Sequence, residues 1–170
     1  MTMGIQQLMW KIEGVTDKFH AAVHSAGDVD AALAATAEDC ALVNVPTGTG
    51  ATGTDDLRRY LAEDVLPHLP ADLSFHRESR TVDQRRVVDE SVVSFTHDRE
   101  LPWLLPGMPP THRRAEVLAI SVVTFRHTTR LGTVESQVLT HRTLWDHSGL
   151  LAQLQLGRTA VGAAAAVRGR

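Results

Sequence analysis

The sequence predicts an α+β fold, with helices from the first part of the chain packed on one face of a curved sheet built from the second. Three observations point there. Apolar residues recur at helical spacing as far as Pro70. Beyond it they mostly alternate, in segments rich in β-branched residues. The connections between those segments are too short for crossover helices, so the strands are expected to be antiparallel. With 170 residues, 43% of them hydrophobic, the chain can bury a real core as one domain, expected over residues 1–157.

The elements follow in order. Over 5–25, Ile5, Leu8, Met9, Ile12, Val15, Phe19, Ala22 and Val23 fall on one face of an amphipathic helix, which Gly27 can end. Asp28 is placed to cap a second helix over 28–37, its carboxylate accepting from free amides of the first turn. A short strand over 40–45 leads into a glycine-rich loop. Thr54 is placed to cap a third helix, which Pro67 disrupts and Pro70 ends. The segments LSFHRESRTV, RVVDESVVSFTHD, AEVLAISVVTFRH and TVESQVLTHRTLWD then read as four strands. A long loop over 99–113 separates the second of these from the third. Its Trp103, Leu104, Leu105 and Met108 need cover, so the loop is expected to close a pocket mouth and to pack against a second subunit. A short helix, HSGLLAQLQL, follows the last strand, and the low-complexity tail over 158–170 is expected to be frayed or disordered.

Composition narrows the partners. The net charge is −3 and the pI about 6.3, with no basic excess to attract nucleic acid or an anionic membrane. The single cysteine, Cys40, can form neither an intrachain disulfide nor a zinc site alone, which suits a reducing, cytoplasmic compartment. The first residues lack the apolar core of a signal peptide. No stretch approaches the roughly 18 apolar residues that span a bilayer.

Gly48, Gly50 and Gly53 stand at the G-x-G-x-x-G spacing of dinucleotide-binding loops, and Glu78 lies near the distance of a ribose-binding acid. Such a site also needs a parallel β-α-β unit. Here Asp55 and Asp56 would occupy the place of the phosphate and repel it, so the glycines are read as a flexible turn. His20 and His24 have the i, i+4 spacing of a metal chelate, but no glutamate follows the first as in a metalloprotease. The plainer reading is two histidines on a partly exposed helix face. There is no nucleophile elbow and no P-loop lysine, and nothing marks Cys40 as activated.

The strands carry the more suggestive residues. Glu90 shares a face with Val88, Val92 and Ser94, while Asp89, Ser91, Val93, Phe95 and His97 share the other. Glu116 aligns with Leu118, Ile120 and Val122. Arg142, Leu144 and Asp146 oppose His141, Thr143 and Trp145. A carboxylate among apolar side chains loses hydration, which raises its pKa toward the range useful for proton transfer. Glu90 or Glu116 in a structural ion pair with Arg142 is the plain alternative. Alternation alone does not say which face is concave.

Over residues 15–156 the sequence resembles the SnoaL-like polyketide cyclases of the nuclear transport factor 2-like superfamily. The most specific stretch is RVVDESVVSFTHDRELPWLLPGMPPTHRRAEV, with AGDVDAALA and the Trp145-Asp146 pair in support. The resemblance implies a cone-shaped, curved antiparallel sheet wrapped by three N-terminal helices around a central pocket, commonly in dimers. Characterised members close polyketide rings by cofactor-free aldol chemistry; relatives isomerise, hydrolyse epoxides, hydroxylate or only bind. One departure stands out. Where this branch commonly has Glu-His-Ile-Tyr-Trp-Asp on the last strand, this chain has His141-Arg142-Thr143-Leu144-Trp145-Asp146.

The expected function is a cofactor-independent cyclase or isomerase of natural-product metabolism, acting by acid–base chemistry on an apolar carbonyl compound. It would need neither metal nor cofactor and would act as a homodimer. Glu90, His97 and Asp146 are the candidates for proton transfer. Arg142 is the candidate partner for an enolate, and Glu116 would hold it in place. Trp103 and Trp145, with Trp10 beside them, would shape the pocket. The alternative is a non-catalytic dimeric small-molecule binder or accessory protein of the same fold.

Overall fold

The computed structural model describes residues 3–155, so the tail expected over 158–170 lies outside the described residues. Helix α1 (Ile5–Ala21) buries Ile12, Thr16 and Phe19 on its apolar stripe. Its end widens through Ala22–Ala26, where the Asp28 amide reaches back to the Ala22 carbonyl, and Gly27 closes it at φ 60°. Asp28 caps α2 (Val29–Ala34), accepting from the Ala31 amide at 3.0 Å. Helix α2 is shorter than the sequence suggests because Thr36 already begins a strand, β1 (Thr36–Asn44).

The glycine motif makes a hairpin. Gly48, at φ 68°, sits in the turn between β1 and the antiparallel β2 (Thr49–Thr52). Gly50, at φ 140°, lies so close to β1 that a Cβ would collide with the Leu42 carbonyl. Gly53 then opens α3 (Thr54–Arg59), its carbonyl accepting from the Leu57 amide. Thr54 is therefore the first helical residue and not the expected cap. The helix continues through a wide turn, Tyr60–Val65, and a tight turn, Leu66–His68, that contains Pro67.

The remaining strands are β3 (Ser74–Val82), β4 (Arg86–Thr96), β5 (Arg114–Arg130) and β6 (Thr133–Trp145), followed by α4 (His147–Gln153). They form one open curved sheet in the order β2-β1-β6-β5-β4-β3. The four strands after Pro70 pair antiparallel as expected, as do β1 and β2, and β1–β6 is the one parallel pair of the sheet. These two strands lie at opposite ends of the sequence, so no hairpin dictates their direction. Register shifts at 36/41, 77/79 and 124/125 bend the sheet.

Two apolar clusters fill the molecule. One joins α1, α2 and α3 to the sheet through residues such as Ile12, Phe19, Leu33, Leu57 and Phe125. The other packs Leu101, Leu104 and Leu105 of the long loop against Phe95, Val117, Leu150 and Leu154. The loop is thus folded on the chain's own core, and its leucines are buried without a second subunit. Among the described residues no helix is long and apolar enough to cross a membrane.

Candidate active site

A cavity of about 320 Å³ lies between the concave face of the sheet and a roof made by α1, α3 and the long loop. That size is at the lower end for small-molecule sites. The floor follows from strand alternation: Asp89, Ser91 and Val93 on β4, Val117, Ala119 and Ser121 on β5, and His141, Thr143 and Trp145 on β6 all face it. Small side chains along β4 and β5 keep the space open. The roof takes Thr16, Phe19, His20, Val23 and His24 from α1, at the i, i+3, i+4, i+7, i+8 spacing of a single helix face. Tyr60, Leu61, Trp103 and Leu104 complete it. The widened turns of α1 and α3 carry Val23 and His24, and Tyr60 and Leu61, onto this surface.

Three histidines distinguish one part of the wall. The rings of His20 and His24 are 4.5 Å apart, and each lies 4.6 Å from Phe75. His141 stands 5.5 Å from Phe19. Burial pushes His24 down to about 3 and His141 down to about 4, with neighbouring histidines adding to both shifts. His20 is lowered too, by burial, with Asp17 and Asp89 acting against it. Nδ1 of His24 and Nδ1 of His141 are enclosed without a hydrogen-bond partner. No group of three His, Cys, Asp or Glu among the described residues is arranged to hold a metal ion.

Two polar networks flank the histidines. Arg80 binds Asp89 at 2.6 and 2.9 Å and Asp17 at 2.8 Å, and these carboxylates raise the pKa of its guanidinium. On the other side, Asn44 Nδ2 donates to the Tyr60 hydroxyl at 2.9 Å and to the Trp103 carbonyl at 3.0 Å. Because Tyr60 accepts from Asn44, its own O–H remains available to donate. Burial pushes that phenol up to about 12, so it keeps its proton at neutral pH. Trp103 Nε1 is buried without a partner.

Of the residues expected to carry catalysis or to bind substrate, only Trp103 and Trp145 line this cavity, whereas His20 and His24, read from sequence as two histidines on a partly exposed helix face, do line it. Glu90 and Arg142 project from the opposite side of the sheet. Glu90 accepts from Ser79 Oγ at 3.3 Å, and neither residue forms an ion pair among the described residues. Glu116 also faces outward, its backbone clasped by Gln153 at 2.8 and 2.7 Å. Asp146 caps α4 by accepting from the Gly149 amide at 2.9 Å. Trp10 is 62% exposed at the start of α1. His97 has the inward facing but lies past the end of the cavity, fully buried beneath the loop. Its Nδ1 accepts from the Thr111 amide at 3.3 Å. The expected convergence of Glu90, His97, Arg142 and Asp146 is therefore corrected: three take the convex side or a helix cap, and the fourth anchors a loop.

The departure on the last strand changes meaning accordingly. Arg142 and Leu144 replace the usual histidine and tyrosine on the outer face, so the cavity wall loses nothing by them. The cavity wall takes His141, Thr143 and Trp145 from this segment instead. Cys40 is buried with its thiol pushed up to about 11 by that burial, which leaves it unactivated.

A sequence profile for the SnoaL-like domain matches residues 16–129. No curated protein matches the chain. Among solved structures, a candidate polyketide cyclase from Acidithiobacillus ferrooxidans is similar at a TM-score of 0.63 and 18% identity, covering 85% of this chain and 94% of its own. TsrD from Streptomyces laurentii is similar at a TM-score of 0.62 and 18% identity, over 86% and 96%. A ketosteroid isomerase-like protein from Erwinia carotovora atroseptica is similar at 0.55 and 16%, over 81% and 95%. At these identities the structures show a shared fold, and the profile match shows the family: the chain belongs to the SnoaL-like domain family.

Proposed function

We propose that the cavity carries out cofactor-independent acid–base chemistry on a small, largely apolar molecule bearing a carbonyl, as in isomerisation or aldol ring closure. The observation behind this is the meeting of His24 and His141, held neutral by burial, with the Tyr60 and Trp103 donors around one cavity. A ring nitrogen of His24 or His141 takes the proton from the carbon beside the carbonyl. The negative charge that develops on oxygen is received by the Tyr60 O–H or the Trp103 N–H. The carbanion then takes the proton back at another carbon, or attacks a second carbonyl whose oxygen, as its double bond opens, takes the proton from the imidazolium. Imidazoles of such low pKa are weak bases, but they are fully deprotonated at pH 7.

The test is hydrogen exchange into 2-tetralone in D₂O, followed by NMR. The wild-type protein is expected to accelerate exchange at the α-carbon. His24→Gln and His141→Gln, taken together, are expected to remove about 10²-fold or more of that acceleration, and Tyr60→Phe about 10²-fold. Exchange no faster than in buffer, alongside measurable binding of the ketone, would favour the non-catalytic binder.

The outer sheet face supports the dimer reading. Leu118 and Ile120 are 46% and 40% exposed there. Val92 pairs with Leu118, and Glu90 and Leu144 pair with Ile120 from either side. Glu90 on β4 and Arg142 on β6 flank this apolar strip with opposite charges, an arrangement a two-fold axis can make self-complementary. We propose a second copy of the chain as the occupant. Sedimentation equilibrium is expected to give a dimer, and Ile120→Lys a monomer; a monomeric wild type would remove the idea.

A further inference from the structure

His97 is a buried titratable group that the proposed proton transfer leaves unused, and it stands where the long loop over 99–113 begins and ends. Its amide donates to the Arg113 carbonyl and its carbonyl accepts from the His112 amide, both at 2.9 Å. One residue therefore ties the two ends of the loop together. Between those ends the loop carries Trp103 and Leu104 into the cavity roof, and lays Leu101 and Leu105 on the second apolar cluster.

The ring adds a further tie, and the direction of that tie matters. Nδ1 accepts from the Thr111 amide at 3.3 Å and lies 3.1 Å from the Thr111 hydroxyl. A backbone N–H can only donate, so Nδ1 is unprotonated and the neutral ring carries its proton on Nε2. Nε2 is enclosed without a partner, and the residue is 0% exposed. A second proton can go only to Nδ1, where the new N–H would point at the Thr111 N–H and break the tie. The resulting cation would be buried with no carboxylate on either nitrogen. Burial lowers the pKa of the ring and His112 lowers it further; Asp98 acts against both, but Arg99 engages that carboxylate at 2.8 Å. Other charged groups near this end of the sheet have partners of their own. Asp72 holds the Thr96 hydroxyl and lies 3.8 Å from Arg114, His68 meets the Glu100 carbonyl, and His147 of α4 meets the Trp145 indole. Arg113 is exposed. His112 adopts φ 58°, a conformation that side chains with a Cβ rarely take, so the closed loop is strained at the residue His97 grips.

We infer that His97 is a latch: with its ring uncharged it holds the loop closed over the cavity, and with its ring charged it lets go, so that acid opens the roof. The closed loop excludes a proton that the open loop accepts. The open fraction therefore rises as pH falls below the ordinary histidine value of about 6.5. The inference concerns access to the cavity and stands whether or not the cavity is catalytic.

Amide hydrogen exchange of the full chain, corrected at each pH for the intrinsic rate, tests it together with histidine ¹⁵N NMR. In the wild type, Nδ1 of His97 is expected to be unprotonated at pH 7.5. The Leu105 amide donates to the Leu101 carbonyl and the His112 amide to His97, both within the closed loop. Their protection is expected to fall by up to about tenfold per pH unit below 6.5, in step with protonation of the ring. His97→Asn keeps an acceptor near the place of Nδ1 and cannot titrate, so loop protection in that variant is expected to be flat across the same range. A proton on Nδ1 at pH 7.5, a ring that charges while both amides stay protected, or a pH dependence that survives in His97→Asn would each overturn the inference. If His97→Asn does not fold, the wild-type titration decides by itself, because ring and loop are read in one protein.

Discussion

The two faces of the sheet are built from alternate residues of the same strands, and they do opposite things. On the concave face Asp89, Ser91, Ser121, His141 and Thr143 line the cavity under its roof. There, burial changes what a side chain is: His141 becomes a neutral ring with a pKa of about 4. On the convex face Glu90, Ile120 and Arg142 meet solvent, so that face offers shape and charge for association. One step along the chain separates cavity wall from outer surface. The same residue types become a site or a surface according to which side the sheet curves toward.

The largest test of this contrast compares the cavity with the outer face. His24→Gln and His141→Gln together are expected to slow exchange into 2-tetralone by about 10²-fold or more, whereas Glu90→Gln on the outer face is expected to change it by less than about threefold. Equal losses in the two variants would collapse the distinction between faces. A second test is acid stability. An unfolded histidine titrates near 6.5, while His24 and His141 when folded titrate at about 3 and about 4. Their contribution to stability is therefore complete above pH 6.5 and is lost as pH falls from there, toward 4 for His141 and toward 3 for His24, at up to about 1.4 kcal/mol per pH unit for each ring. Urea titrations across that window are expected to show the slope, and replacing both rings with glutamine is expected to flatten it. The smallest effect concerns Asp146: removing the α4 cap in Asp146→Ala is expected to cost about 1 kcal/mol in the same titrations. Exchange activity is expected to persist in that variant, because the carboxylate serves the helix and not the cavity.

Much of the architecture was legible in the sequence, because periodicity reports burial. The helical stripe of α1, the Asp28 cap and all four strands after Pro70 follow from local patterns. The partition of β4 and β6 into alternating sets was legible too. Which set faces inward was not, because Val88, Val92, Leu118, Ile120 and Val122 make the convex face apolar as well. Glu90 therefore read as a buried acid when it is half-buried on the outside. His20 and His24 carried a signal that was discounted: each directly follows a residue of the buried stripe, Phe19 and Val23, which puts them at its inward edge. Their relation to His141 spans most of the sequence, and only the curvature of the sheet brings it about.

The central claim is that burial in the cavity holds His24 and His141 neutral and available. Histidine-selective ¹⁵N NMR across a pH titration tests it most directly. At pH 5.5 both rings are expected to be uncharged, to take up protons only near 3 to 4, and to shift when 2-naphthol is added. Rings that titrate near 6.5 and ignore the naphthol would contradict the claim.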